Sequence, residues 1–124
     1  MDFMKQYEAQ TYALLRIVSG FLFIFHGIPK MQAIMAGEAG WMYYLAGPIE
    51  VIGGVMIMIG LCTSIAAFLS SGLMAGAYWI IHYSKMGGGL PINNKGELAV
   101  MFCFAFLCIA AKGSGIWSVD SKRS

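Results

Sequence analysis

The sequence predicts an all-α integral membrane protein, a four-helix bundle with antiparallel, up-down-up-down helices. Three observations carry this reading. Of 124 residues, 59% are hydrophobic and only 11% are charged, far from the balance of a soluble globule. The mean hydropathy of +0.71 comes with 16 Gly and 10 Met, and Gly is more frequent in membrane helices than in soluble ones. Finally, four apolar runs are separated by polar or Gly-rich breaks, and a hydrocarbon core about 30 Å thick needs roughly 20 residues of helix per crossing.

The first helix is predicted over 9–28 (AQTYALLRIVSGFLFIFHGI), stopped by Pro29 and Lys30. The second covers 43–61, with Pro48 in its first turns, where a proline is best tolerated. Cys62, Thr63 and Ser64 form a very short connection in which Thr63 or Ser64 caps the third helix, 65–83. The fourth, 96–112, is the weakest, because its uncharged stretch of 14 residues falls short of a span at ~1.5 Å per residue. A secretory signal competes for the first segment, since Lys5 and Arg16 precede an apolar run. No small-x-small cleavage site follows, so the segment is read as retained.

Two aromatic clusters suit membrane interfaces: Trp41, Tyr43, Tyr44, Tyr78, Trp79 and Tyr83 at one, and Tyr7, Tyr12 and Trp117 at the other. Lys5, Lys112, Lys122 and Arg123 on the terminal side outnumber Lys30, Lys85 and Lys95 on the loop side, which places both termini in the cytoplasm by the positive-inside rule. A net charge of +2 is too small to imply a nucleic-acid partner; the expected partners are the lipid bilayer and either a protein subunit or a second copy. Cys62, Cys103 and Cys108 follow no metal-ligand spacing, so neither a disulfide framework nor a metal site is expected. Gly87, Gly88 and Gly89 predict a mobile loop, or one lying close over a ligand.

Ionisable groups inside membrane helices are costly and call for a partner or a purpose. Arg16, Ser19, Phe23, His26, Gly27 and Lys30 recur at steps of three and four, forming one stripe of the first helix. Gly47, Glu50, Gly53, Gly54, Ile57 and Gly60 form a small-residue seam on the second, with one carboxylate set into it. Tyr78 and His82 share a face of the third helix, which also carries Gly72 and Gly76. Counting depth at ~1.5 Å per residue predicts a buried Arg16–Glu50 pair near the midplane, with His26, Lys30, His82, Lys85 and Glu97 nearer the outer end. The expected result is a polar pocket open to the non-cytoplasmic side or the outer leaflet. Structural roles compete at each position. The Arg–Glu pair would fix helix order, the histidines would be satisfied within the bundle, and Glu97 would serve as a charge at a helix N-terminus.

The order and spacing of LLRIVSGFLFIFHGIPKM, GPIEVIGGVMIMIGLCTSIAA, NNKGELA and GSGIWSVD resemble the DoxX/DoxD-like family of small bacterial membrane proteins, over nearly the whole chain. The matching positions are Arg16, then His26, Gly27 and Lys30, then Glu50, Gly53 and Gly54, then His82, Gly96 and Glu97, and Trp117, Ser118 and Asp120 at the tail. The departure is Cys62, Thr63 and Ser64, where family members often carry an arginine. The resemblance implies four transmembrane helices in the inner membrane and a link to redox chemistry. DoxD-type members are subunits of thiosulfate:quinone oxidoreductase, and DoxX-type members are associated with thiol and oxidative-stress systems.

The leading expectation is a quinone-interacting subunit or accessory protein of a membrane oxidoreductase, with quinone as the candidate cofactor. Glu50 and His82 would exchange protons as the catalytic pair, while Arg16, His26, Lys30, Tyr78 and Glu97 would bind the quinone or a small anion. A non-catalytic scaffold or assembly factor is the alternative. A bis-histidine haem carrier using His26 and His82 ranks last.

Overall fold

The computed structural model describes residues 2–123, which form helices joined by turns and loops, with no strand among them. After a single 3-10 turn (Lys5–Tyr7) the chain forms α1 (Glu8–Met35). Next come α2 (Trp41–Ile59) and α3 (Thr63–Tyr83), α4 (Glu97–Lys112) and the short α5 (Val119–Arg123). Among the described residues, three helices are long and apolar enough to cross a bilayer: α1 with its leading turn, α2 and α3. At 16 residues and ~1.5 Å each, α4 spans less than a hydrocarbon core.

The first helix does not stop at Pro29. It runs through the proline to Met35, because the ring's fixed φ is helical and the loss is confined to one N–H and its neighbouring carbonyl. The true stop is Gly37, whose φ of +76° opens a Schellman end. Glu38 N donates to the Ala33 carbonyl at 2.9 Å and Gly37 N to that of Ile34 at 3.1 Å, satisfying carbonyls the helix leaves over. Gly60 closes α2 in the same way, with φ +75° and Leu61 N bonded to the Met56 carbonyl. Just after Pro48, which has no N–H to give the preceding turn, α2 widens into a π-turn at Ile49–Gly53. A second π-turn ends α3 at Tyr78–Tyr83.

The helices associate as two close antiparallel pairs, α1 with α2 and α3 with α4. Glycines let the first pair touch backbone to backbone. A Cβ on Gly20 would lie 2.6 Å from the Gly54 carbonyl oxygen, and one on Gly27 would lie 2.8 Å from the Glu50 Cβ. The contact is therefore a small-residue seam. In the second pair the Ser71 hydroxyl donates to the Cys103 carbonyl at 2.7 Å. Phe23 of α1 reaches across to α4, its ring 4.7 Å from Phe106 and 5.5 Å from Phe102, and Ile57 and Ile109 complete the wholly buried core. Leu14, Val18, Phe21 and Phe25 of α1, Phe68 of α3 and Phe104 of α4 face outward; in a membrane that surface meets lipid.

The segment after α4 clasps the two pairs together at one end. Its anchor is Arg16, whose guanidinium is wholly buried and donates only to carbonyls. Nε bonds Ile57 O at 3.0 Å, Nη1 bonds Ser114 O and Ile116 O, and Nη2 bonds Trp117 O at 2.7 Å and Met58 O at 3.4 Å. Ile57 and Met58 belong to the last turn of α2, where carbonyls lack intrahelical donors and the helix dipole is negative. The Asp120 carboxylate accepts from Cys62 N and Thr63 N, both at 2.9 Å. The cap of α3 thus comes from far along the chain, and neither Thr63 nor Ser64 supplies it. Those two backbone donors hold the Asp120 carboxyl below the usual aspartate range. Its contribution to the clasp is accordingly complete near neutral pH and lost as the pH falls through the lowered pKa.

Candidate functional site

At the end away from the clasp the two pairs diverge around a cavity of about 460 Å³, within the ~300–1,000 Å³ range of small-molecule sites. Leu45, Leu73, Ala77 and Phe102 give it apolar walls, and His26, Lys30, Glu50, His82 and Lys95 bring polar groups to it. Gly72 and Gly76 also line it, and a Cβ on either would meet nothing within 4 Å. These two glycines therefore leave room in the cavity instead of bringing helices together.

Each polar group is set by its element. Glu50 lies in the π-turn of α2 with a side chain only 2% exposed, and its Oε1 receives Lys30 Nζ at 2.9 Å. The same ammonium donates to the His26 carbonyl at 3.1 Å and lies 5.8 Å from the centre of the Tyr43 ring. His26 meets the edge of Phe102, centroids 5.7 Å apart. Across the cavity His82 lies in the other π-turn, its Nδ1 3.1 Å from the Asn94 carbonyl oxygen. Both π-turns thus carry a polar side chain to one cavity, and such turns are frequent at functional sites.

The predicted Arg16–Glu50 pair does not form. Gly47 stands opposite Lys30 and Met31, Gly27 opposite Glu50, and Gly20 opposite Gly54 and Met58. In that register Arg16 meets the end of α2 and Glu50 meets the turn of α1 carrying His26 and Lys30. Counting depth from helix ends misplaced the pair because α1 extends past Pro29 and the glycine contacts set the slide. For the same reason Arg16 is a clasp residue away from the cavity, which corrects its expected place in the binding set. Tyr78 does not line the cavity either: its hydroxyl receives Asn94 Nδ2 at 3.2 Å and donates to the Gly89 carbonyl. Glu97 is exposed at the start of α4, off the cavity wall.

Asn94 escaped the sequence reading as an individual residue. Its signal is a second asparagine before Lys-Gly, where an Asx turn forms: Gly96 N donates to Asn94 Oδ1 at 3.1 Å. The cysteines stand apart from the cavity. Cys103 Sγ lies 3.5 Å from the Ser71 hydroxyl, and Cys62 and Cys108 are exposed.

The DoxX family profile matches residues 11–83, which hold nearly all of α1, the whole of α2 and α3, and most of the cavity's polar groups. The chain belongs to the DoxX family. Among its relatives, an uncharacterized protein of Haemophilus influenzae is 36% identical over 130 aligned positions, covering 98% of this chain and 97% of the relative. A Bacillus subtilis protein named "Putative oxidoreductase CatD" is 27% identical, covering 94% of this chain and 88% of the relative. No solved structure matches this DoxX family member.

Proposed function

We propose that this protein is a quinone-interacting subunit or accessory protein of a membrane oxidoreductase. In this reading it sits in the bacterial inner membrane as an antiparallel, up-down-up-down four-helix bundle with both termini cytoplasmic. The observation that carries the reading is the cavity itself: apolar walls for a ring and the start of its tail, with the half-buried Lys30 paired to the buried Glu50 and two imidazoles at the head. The space beside Gly72 and Gly76 supports the fit of a flat ring. The word oxidoreductase in the Bacillus relative's name supports the reaction class.

A bound quinone supplies two-electron chemistry coupled to protons. The chain's own groups hold and polarise it. Lys30 would donate to a ring oxygen while Glu50 neutralises the ammonium, so the site need not carry a lone cation in low dielectric. Glu50 and His82 are positioned to hold a proton at the head of the site. Electrons and the rest of the reaction come from a partner protein.

The test is the quinone content of solvent extracts from protein purified in mild detergent, measured by mass spectrometry beside Glu50→Gln and Gly76→Leu variants of equal folded yield. Near-stoichiometric quinone in the wild type, reduced at least about tenfold in both variants, is the expected result. Background quinone in all three favours the non-catalytic scaffold.

A further inference from the structure

We propose that the turn at 94–96 fixes His82 as a hydrogen-bond acceptor toward the cavity, making the site selective for the hydroxyl-bearing, quinol form of its ligand over the oxidised form. The inference rests on the quinone reading of the cavity and deepens it.

Asn94 is wholly buried, and both ends of its side chain are held. Gly96 N can only donate, which assigns Oδ1 as its acceptor at 3.1 Å and leaves Nδ2 to the Tyr78 hydroxyl at 3.2 Å. Lys95, between them, takes a left-handed φ of +62°. Gly96 has no room for a side chain, since a Cβ there would lie 2.6 Å from the Tyr78 ring. A turn pinned at these points presents the Asn94 carbonyl in one orientation, and that carbonyl faces His82 Nδ1 at 3.1 Å.

A carbonyl oxygen only accepts, so Nδ1 carries the proton and the neutral ring has a bare Nε2. No group among the described residues bonds Nε2, and the ring lines the cavity. On the other wall, Lys30 has three N–H donors; Glu50 Oε1 takes one and the His26 carbonyl another. One donor remains for a ligand oxygen. A site with an acceptor on one wall and a donor on the other suits a ring that carries a hydroxyl as well as a second oxygen. A diketone offers only lone pairs and leaves Nε2 without a partner. One neutral hydrogen bond corresponds to roughly three- to tenfold in affinity.

Two measurements test this on the full-length protein in detergent. The first is ¹⁵N NMR of histidine-labelled protein, with His82 assigned from the signal lost in His82→Asn. A protonated Nδ1 and bare Nε2 are expected, and a neutral ring protonated at Nε2 would overturn the inference. Asn94→Ser frees the turn, so a mixture of tautomers is expected; a single unchanged tautomer would overturn the positioning role of Asn94. The second is calorimetric titration with decylubiquinol and decylubiquinone. The wild type is expected to bind the quinol about three- to tenfold more tightly, and His82→Asn, whose short amide still reaches the Asn94 carbonyl, to bind both forms about equally. Equal affinities in the wild type, or an unchanged preference in the variant, would overturn the selectivity alone. Binding of neither form would overturn the quinone reading with it.

Discussion

Arg16→Met is expected to remove nearly all of the folded protein, although Arg16 lies away from the cavity. Five carbonyls from the end of α2 and from the 114–117 segment depend on one guanidinium. A buried acceptor left unpaired costs about 1–3 kcal/mol; the Ile57 bond is fully enclosed and the other four are half-buried, so the five together are expected to cost about 3 kcal/mol or more, a large share of a typical domain's stability. The two helix pairs would lose the clasp that closes one end. Arg16→Lys is expected to recover only part of the loss, because an ammonium has three donors and no planar fork to serve carbonyls from two segments. Monodisperse yield by size-exclusion chromatography and thermal unfolding in detergent are the readouts. A wild-type yield and melting temperature in Arg16→Met would show that the clasp does not depend on this side chain.

Lys30→Met is the second large effect, and its value lies in the double variant. Alone it leaves Glu50, 2% exposed, without its cation in a low-dielectric site, a loss of about 3 kcal/mol on membrane insertion scales. Replacing both partners with apolar residues, Lys30→Met with Glu50→Met, removes the stranded charge and is expected to return stability to near the wild-type level, as for other buried ion pairs. The quinone is expected to stay lost. A refolded double variant that keeps its quinone would make the pair a packing device only, while one that fails to refold would show that the helices need the pair to associate.

Hydropathy made the helices legible, because each apolar run is long and its polar flanks are sharp. Proline is a stop signal in the sequence and predicts a shorter first helix, whereas the stop that acts is Gly37 with its left-handed backbone. That His26, Lys30 and Glu50 share a side was visible in the three- and four-residue steps of α1 and the seam of α2, and His82 joins them because α3 faces the same gap. Which of them pair was not visible. The slide of α1 against α2 is set by the close approaches at Gly20 and Gly27, and periodicity fixes a face but carries no slide. The place of Arg16 is not legible for a deeper reason: three of its five partners are main-chain carbonyls of 114–117, brought in by the closure of a loop of about a hundred residues that no local pattern announces. The motif GSGIWSVD, legible only as a resemblance, is explained by that clasp, with Gly60 kept free of a Cβ that would lie 2.2 Å from Ser118.

The measurement that bears most directly on the central claim, that the cavity between the helix pairs holds a quinone head, is photolabelling with an azidoquinone followed by peptide mass spectrometry. Labels on Leu45 and Ala46 of α2 and on Leu73 and Ala77 of α3, suppressed by excess decylubiquinone and by Gly76→Leu, are the predicted result. Labels spread over the outward-facing residues Phe68 and Leu107, and indifferent to competitor, would contradict it.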